Sequence, residues 1–522
     1  MSVGSLSQHG LRSPLTGGRR ADETDPAHPY ATPALIVVAG LMGVAAALRF
    51  YGIGHQGFWF DEANTAQLVR FSPGKMLGLI PQSESTPPLY YCVAWVWARI
   101  FGGHEAGLRS LSAVVGVLVV PVAYVAGTRL ISRRAGVIAA SLTACNPLLI
   151  WYSQEARSYS MLVLLTALSL LGFVWAREAP TPRVLTVWVL ASGLGLATHY
   201  FAAIVVVPEA VWLLAAHRRR RAVRVAVAIV AVCGLTLIPL AISQNGTGHD
   251  SWIATAPLGL RLRQIVPQFL IGTGSPAREV LRDLALALTA VALALVAVNG
   301  RSAERSAAQV AGGLALAGFL TSLVLVAVGF DDLITRNVIA LWLAAALVVA
   351  AGLSVRRART LGALMAVALC AIGITATVGV AADRNLQRPD WRYVARALGP
   401  ADVAGRAILI QHYRTLLPLS LYLPDLHVLA RHGARVGQLD VIAMSSPQEP
   451  LCWWGAACNL IPSRMQRRYA IRGFHAEWTR QVLQFEIQQL VARRPVMLTP
   501  ADVSRALHST RLRRDVLEYQ LG

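Results

Sequence analysis

Long apolar runs recur along this chain from residue 34 to residue 380, and clusters of arginine separate them. Ala34–Ala47, Leu111–Ala126 and Val338–Leu353 are examples. A run of about 18 or more residues with few charges reads as a membrane-crossing helix. A single run of this kind fits a buried helix of a large water-soluble protein, but their regular recurrence does not. The composition agrees. Of 522 residues, 55% are hydrophobic and 14% charged, whereas water-soluble domains carry roughly 25% charged residues.

The net charge is +21, from 48 basic and 27 acidic residues, and Lys75 is the only lysine. In a water-soluble protein this balance would point to nucleic acid. Here the arginines sit between apolar runs, where they mark cytoplasmic connectors, so no nucleic-acid partner is expected. The connectors are Arg129–Arg134, Arg177–Arg183, His217–Arg224, Arg301–Arg305 and Arg356–Arg359. If all lie on one side, an even number of crossings must separate each pair. Two apolar runs fall in every interval: 135–152 with 159–176, 184–200 with 201–216, 225–242 with 281–298, and 308–328 with 338–353. A last run at 361–381 exits outward. Before Arg129 there are three runs, and parity allows two. The short stretch 87–101, opened by Pro87-Pro88, is therefore read as a juxtamembrane helix with Trp95 and Trp97 at the interface.

The expected fold is an all-α polytopic membrane protein of about 11 transmembrane helices with a small C-terminal extracytoplasmic α/β domain. Residues 1–30 form a polar cytoplasmic tail, 31–382 the membrane module and 383–522 the outer domain. Within the last, Ala407–Ile410 and His427–Ala430 read as strands, and Tyr413–Tyr422 and Trp478–Val491 as helices. Four cysteines lie in apolar stretches. Cys452 and Cys458 flank a Trp-Trp pair in the polar part, where a disulfide and two free thiols both remain open. The chain is expected in the plasma membrane, with its N-terminus cytoplasmic and its C-terminus outside.

This topology puts ionisable residues of every outer loop at one edge of the bilayer, where such groups are costly and mark substrates or ions. Asp61-Glu62 follows Trp59-Phe60, and reads either as the cap of a following helix or as a carboxylate usable as a general base. In Gln154-Glu155-Ala156-Arg157-Ser158-Tyr159, Arg157 suits a phosphate or carboxylate; a structural ion pair with Asp61 or Glu62 is the plainer reading. His199-Tyr200 fills a very short outer turn and reads as structural or as a substrate contact. Arg336 follows Asp331-Asp332, and pairs with them or clamps a lipid-linked phosphate. The sequence holds no P-loop, Gly-rich dinucleotide turn, HExxH or Cys/His cluster, so nucleotide hydrolysis is not its energy source.

Phe60-Asp61-Glu62, Pro87-Pro88-Leu89-Tyr90-Tyr91, Ser153-Gln154-Glu155-Ala156-Arg157-Ser158-Tyr159 and Thr198-His199-Tyr200-Phe201, in this order, resemble the GT-C glycosyltransferases that use lipid-phosphate sugars. The resemblance lies with the family 39-like bacterial relatives of protein O-mannosyltransferases and of the lipid A aminoarabinose transferase. It implies a hexosyl- or pentosyltransferase that moves a sugar from a polyprenyl-phosphate donor to a hydroxyl of a glycan, glycolipid or protein, by inverting displacement outside the cell. It implies Asp61 as general base, Glu62 and Glu155 as positioning groups, and Arg336 with Arg157 on the donor phosphate. Tyr159, His199 and Tyr200 complete the expected substrate site. Many relatives carry His or Lys directly before the two prolines. Thr86 stands there in this chain, so that contact is lost or moved, His199 being one place for it. No cofactor is required; a divalent metal between Asp61 and Glu155 stays open, on the weak ground of a few carboxylates. The rival function is a transporter or flippase of lipid-linked sugars, which would place ionisable groups at the bilayer midplane.

Overall fold

In the computed structural model, residues 32–401, 405–411, 416–444, 471–506 and 515–521 are described. The tail 1–30, Cys452 and Cys458 lie outside them. The bundle begins with α1 (Thr32–Phe50), followed by three short helices, α2 (Phe60–Leu68), α3 (Pro73–Ser83) and α4 (Leu89–Phe101). Next come α5 (Glu105–Leu130) and the pair α6 (Arg133–Cys145) and α7 (Pro147–Ser153), bent by 54°. α8 (Tyr159–Glu178), α9 (Pro182–Thr198) and α10 (Ala203–His217) form successive hairpins. α11 (Arg221–Thr236) runs into α12 (Ile238–Asn245), and α13 (Leu258–Ile271) leads to α14 (Arg278–Asn299), α15 (Ser302–Ala327), α16 (Trp342–Leu353) and α17 (Arg359–Ala382).

Among the described residues, eight helices are long and apolar enough to cross a membrane, or nine if the bent pair is one span. The other two expected crossings, Pro182–Thr198 and Ile339–Leu353, are shorter apolar helices, so length and composition alone do not fix the number at eleven. Each arginine-rich connector falls between helices at the end of the bundle away from the sheet described below.

Local chemistry explains the breaks. Asn146 caps α7 by accepting from Leu149 N at 3.0 Å, and Pro147 follows at the first helical position, where its missing N–H costs nothing. The bend leaves the last carbonyls of α6 without helical partners. Arg49, fully buried at the end of α1, donates to Thr143 O and Ala144 O, each at 3.0 Å, and to Ser153 Oγ at 3.2 Å. No carboxylate pairs with it in these contacts; the carbonyl end of α6 supplies the negative potential. A second buried polar cluster ties α8, α9 and α10: Glu209 accepts from Ser169 Oγ at 2.5 Å and Trp188 Nε1 at 2.9 Å, and Ser169 meets Ser192 at 2.9 Å.

After α17 come α18 (Trp391–Leu398), β1 (Arg406–Gln411), α19 (Leu416–Ser420), β2 (His427–Val428), β3 (Ala434–Met444), β4 (Phe474–Val482), β5 (Phe485–Leu498), α20 (Pro500–Ala506) and β6 (Asp515–Gln520). The sheet order is β2-β6-β1-β3-β5-β4; β1 and β3 are parallel and the other pairs antiparallel. Side chains alternate between two cores, Ile408, Ile410 and Ile442 on one face and Ala407, Leu409 and Val441 on the other, as the two-residue period of a strand requires. The expected strands at 407–410 and 427–430 correspond to β1 and β2. The expected helix Trp478–Val491 is instead the β4–β5 hairpin, turning at Leu483 with φ 54°. Its four glutamines favour a helix locally, but pairing with β3 overrides that preference. Of the expected helix 413–422, the described part is α19.

The sheet sits on the loop between α1 and α2. Asp390 Oδ1 caps α18 by accepting from Tyr393 N at 3.1 Å and also accepts from Gly57 N at 3.0 Å. A Cβ at Gly57 would lie 2.7 Å from both Asp390 and Arg392, so this close approach needs glycine. Tyr422 Oη donates to Glu105 at 2.7 Å and accepts from Phe58 N at 2.6 Å.

Replacing Arg49 by Met preserves its length but strands the α6 carbonyls and Ser153. Hydrogen bonds to charged groups are each worth about 1.5–3 kcal/mol. Arg49→Met should therefore lower the thermal midpoint of the purified protein well beyond a surface Arg→Met control, as read by a thermal unfolding scan.

Candidate functional site

Asp61 lies in the first turn of α2, whose exposed N–H groups favour a carboxylate. Its Oδ2 is 3.0 Å from Arg336 Nη1, both side chains being 17% exposed, so the pair is open to a ligand. Arg336 reaches it from the loop between α15 and α16, and its guanidinium also faces the rings of Trp252 and Tyr159, 5.3 and 5.9 Å from their centroids. The local pairing of Arg336 with Asp331 is replaced by this long-range contact; Arg261 holds Asp331 through two bonds of 2.7 and 2.8 Å.

Glu62, expected to position substrate, is fully buried and does not line the cavity around Asp61. Arg109 of α5 donates to its two oxygens at 2.7 and 2.5 Å, and Ala156 N donates at 2.8 Å. Burial alone would raise its proton affinity, but the Arg109 guanidinium overrides that and holds the carboxyl below its usual range. One step of the helix, about 100° around its axis, thus separates two roles: Asp61 faces the cavity, and Glu62 fastens the α1–α2 loop to the α7–α8 loop.

The α7–α8 loop supplies Glu155 and Arg157. Arg157 pairs with Glu84 at 2.8 Å and touches only the backbone carbonyl of Asp61, at 3.2 Å. Its partner is therefore neither of the acids Asp61 and Glu62 suggested by the sequence. Glu84 also accepts from Tyr91 Oη at 2.6 Å, and its burial raises its pKa against the pull of Arg157. Glu155 Oε2 accepts from Arg388 Nη2 at 2.9 Å, while Oε1 has no protein partner among the described residues. Burial pushes the Glu155 carboxyl up to about 7, against the Arg388 charge.

His199 is buried, and its Nδ1 accepts from Phe201 N at 3.2 Å. Burial, with Arg157 and Arg336 nearby, pushes the imidazole down to about 3, so the ring is neutral at physiological pH and cannot replace a cation. Tyr200 Oη donates to Gln244 at 2.7 Å. Thr86, before the two prolines, spends its hydroxyl on Tyr91 Oη at 3.0 Å.

Asp61, Glu155, Arg157, Tyr159, His199, Tyr200 and Arg336 all line one cavity of about 1290 Å³. Its charged head lies beneath the sheet. From there an apolar slot runs along the bundle, where Val207, Val211 and Leu214 of α10 meet Val227, Ala231 and Leu235 of α11. From Tyr200 to Leu214 the slot is about 21 Å long at 1.5 Å per residue. Among the described residues no three His, Cys, Asp or Glu side chains converge, and Asp61 and Glu155 each face an arginine.

Sequence reasoning missed Arg388 and Gln484, which also line the cavity. Arg388 had a signal. With Arg384 and Arg392 it follows the last apolar run, on the side the connector parity expects to be outside, where arginine is not needed for orientation. Gln484 has none, because its segment has the local preferences of a helix rather than of a hairpin.

Glu155 yields a pH test. Its folded value near 7 lies above its ordinary 4.5, so the stability its neutral form contributes is present at low pH and is lost as pH rises through about 7. From about pH 5 to about pH 8, the thermal midpoint of the wild type should fall more steeply than that of Glu155→Gln, where nothing titrates at this position.

Residues 85–243, which carry Thr86, Glu155, Arg157, His199 and much of the slot, match the family model described as dolichyl-phosphate-mannose-protein mannosyltransferase. Among curated proteins none matches the chain in sequence. Among solved structures it is similar to the Saccharomyces cerevisiae protein O-mannosyltransferase Pmt1-Pmt2 complex bound to the sugar donor (16% identity, TM-score 0.31), over 41% of this chain and 33% of that one. It is similar to the Archaeoglobus fulgidus oligosaccharyltransferase in complex with zinc and sulfate (14% identity, TM-score 0.40), over 70% and 55%. It is also similar to ArnT from Cupriavidus metallidurans bound to undecaprenyl phosphate (12% identity, TM-score 0.48), over 87% and 97%. The chain thus spans about a third of the yeast chain and about half of the archaeal one. The family match covers under a third of the chain, and it falls on the segment that forms much of the cavity.

Proposed function

We propose that the chain moves a sugar from a polyprenyl-phosphate donor to a hydroxyl of a cell-envelope glycan or glycolipid, with Asp61 as general base. The sheet end of the bundle is then the extracytoplasmic face and the N-terminus is cytoplasmic, in keeping with the arginine-rich connectors at the opposite end. One observation carries this reading: the Asp61–Arg336 pair, 3.0 Å apart, stands where the charged head of the cavity meets the apolar slot. A lipid phosphate has that same division, a charged head on an apolar chain.

With the isoprenoid in the slot, the phosphate lies at the level of Arg336 and Arg157. Each has a buried Nε with no protein partner among the described residues, and the planar guanidinium suits phosphate oxygens. The Asp61 carboxylate takes the proton of the acceptor hydroxyl as its oxygen bonds to the anomeric carbon. The bond from that carbon to the phosphate oxygen breaks, and its electron pair leaves with the phosphate. The arginines stabilise that charge. One displacement inverts the anomeric centre, so a second carboxylate nucleophile is not required. The sugar–phosphate bond is already activated, which removes the need for a nucleotide outside the cell. Neutral His199 and Tyr159 flank the reaction as hydrogen-bonding and apolar walls rather than as charges.

Asp61→Asn preserves shape and removes the base. The variant should reach the membrane at wild-type levels and lose transfer by about 100- to 10000-fold, and its envelope glycan and glycolipid profile should match that of a deletion strain. A wild-type profile would sink the proposal and favour the transporter. Filling the slot with Ala210→Trp should weaken use of long-chain polyprenyl-phosphate sugars much more than short-chain ones, as measured by KM for donors of different chain length.

A further inference from the structure

The corner of the cavity nearest the sheet holds buried polar atoms that the transfer reaction does not use. Trp59 Nε1 and Arg388 Nε are donors, Gln484 Oε1 is an acceptor, Glu155 Oε1 accepts when ionised and donates when protonated, and none has a protein partner among the described residues. All four side chains line the cavity. Their other polar atoms fix them in place. Arg388 Nη2 donates to Glu155 Oε2 and to Trp151 O, both at 2.9 Å, and its guanidinium lies 4.0 Å over the Trp151 ring. Gln484, at the turn of the β4–β5 hairpin, donates through Nε2 to Arg384 O at 2.7 Å and to Gln387 O at 3.2 Å. These groups therefore lie together, and the sheet carries one of them into the membrane module.

A buried polar atom left unpaired is costly, and native proteins carry few of them. Their chemistry restricts what pairs with them. A phosphate only accepts, so it would serve the two donors, leave Gln484 Oε1 unpaired and be opposed by ionised Glu155. An isoprenoid chain serves none. Hydroxyl groups both donate and accept, and a ring bearing several of them satisfies a mixed set. Trp59 and Trp151 add aromatic walls, against which the C–H face of a sugar ring packs.

We infer that Gln484 and Arg388, with Trp59 and Glu155, form a subsite for a sugar ring, so that the C-terminal sheet takes part in selecting the sugar. This rests on the proposed function and deepens it. The ring belongs either to the donor or to a glycan acceptor, and both present the same hydroxyls.

The test uses the purified full chain in lipid nanodiscs and a panel of methyl glycosides, with binding read by saturation-transfer NMR. At least one glycoside should bind the wild type in the millimolar range. Gln484→Leu should weaken it about fivefold or more, the worth of one buried hydrogen bond, while undecaprenyl phosphate binds as before. Trp59→Phe, which keeps the ring and removes the donor, gives an independent reading should Gln484→Leu fail to fold. Displacement of the glycoside by undecaprenyl-phosphate mannose, but not by undecaprenyl phosphate, assigns the subsite to the donor sugar; persistence with both assigns it to the acceptor. The inference is overturned if no glycoside binds the wild type while undecaprenyl phosphate does, or if both variants bind glycosides as the wild type does. Failure of the proposed function would show differently, as no binding of undecaprenyl phosphate or as transfer surviving Asp61→Asn.

Discussion

The arrangement of the cavity depends on the buried pair of Glu62 and Arg109. Arg109 not only binds both oxygens of Glu62; it also donates to Ile53 O and Gln56 O, at 3.0 and 2.9 Å, and to Gly57 O at 3.0 Å. One guanidinium thus organises the loop between α1 and α2, while Glu62 takes the backbone of Ala156 from the α7–α8 loop. A buried ion pair is weak evidence for stability, because desolvation offsets the attraction. Its value here is geometric. With Glu62 held inward, the step of about 100° between neighbours on α2 turns Asp61 towards Arg336. With Ala156 held, Glu155 and Arg157 project to either side of the same space.

The charges around the cavity are bound incompletely, unlike the Glu62–Arg109 pair. Arg109 is saturated by carbonyls and carboxylate. Arg157, Arg336 and Arg388 each keep a buried Nε unpaired among the described residues. Glu155 is poised near neutrality because burial opposes its charge while Arg388 supports it. Unsatisfied groups of this kind persist where a ligand completes them. The sheet closes the arrangement from above: Asp390, Arg392 and Tyr422 bind the α1–α2 loop, so the element carrying Gln484 is tied to the one carrying Asp61.

Much of this was legible in the sequence, for a reason specific to membranes. The bilayer forces apolar runs to be long and connectors to be sorted by arginine content, so counting runs between connectors assigns distant residues to one end of the bundle. Asp61, Glu155, His199 and Arg336 are far apart in the chain, and parity alone groups them. The same reasoning could not say that Glu62 turns away from its neighbour. That depends on the phase of one helical turn and on Arg109, whose position within an apolar run gave no hint of its partner. Nor could it assign Arg157 to Glu84, because charged partners of either loop satisfy it equally on paper.

The C-terminal part shows where such reasoning ends. Outside the bilayer the solvent imposes no length rule, and the Gln-rich segment 478–491 has local preferences that pairing with β3 overrules. Missing the hairpin meant missing Gln484. The sequence by itself determined a multi-helix membrane module and which residues share an end of it, because hydropathy and charge act through the bilayer on each residue regardless of its neighbours. Only the tertiary structure decided which acid faces the cavity, which arginine meets which carboxylate, and that the sheet lends side chains to the site. Those choices turn on contacts a few ångströms long between segments hundreds of residues apart.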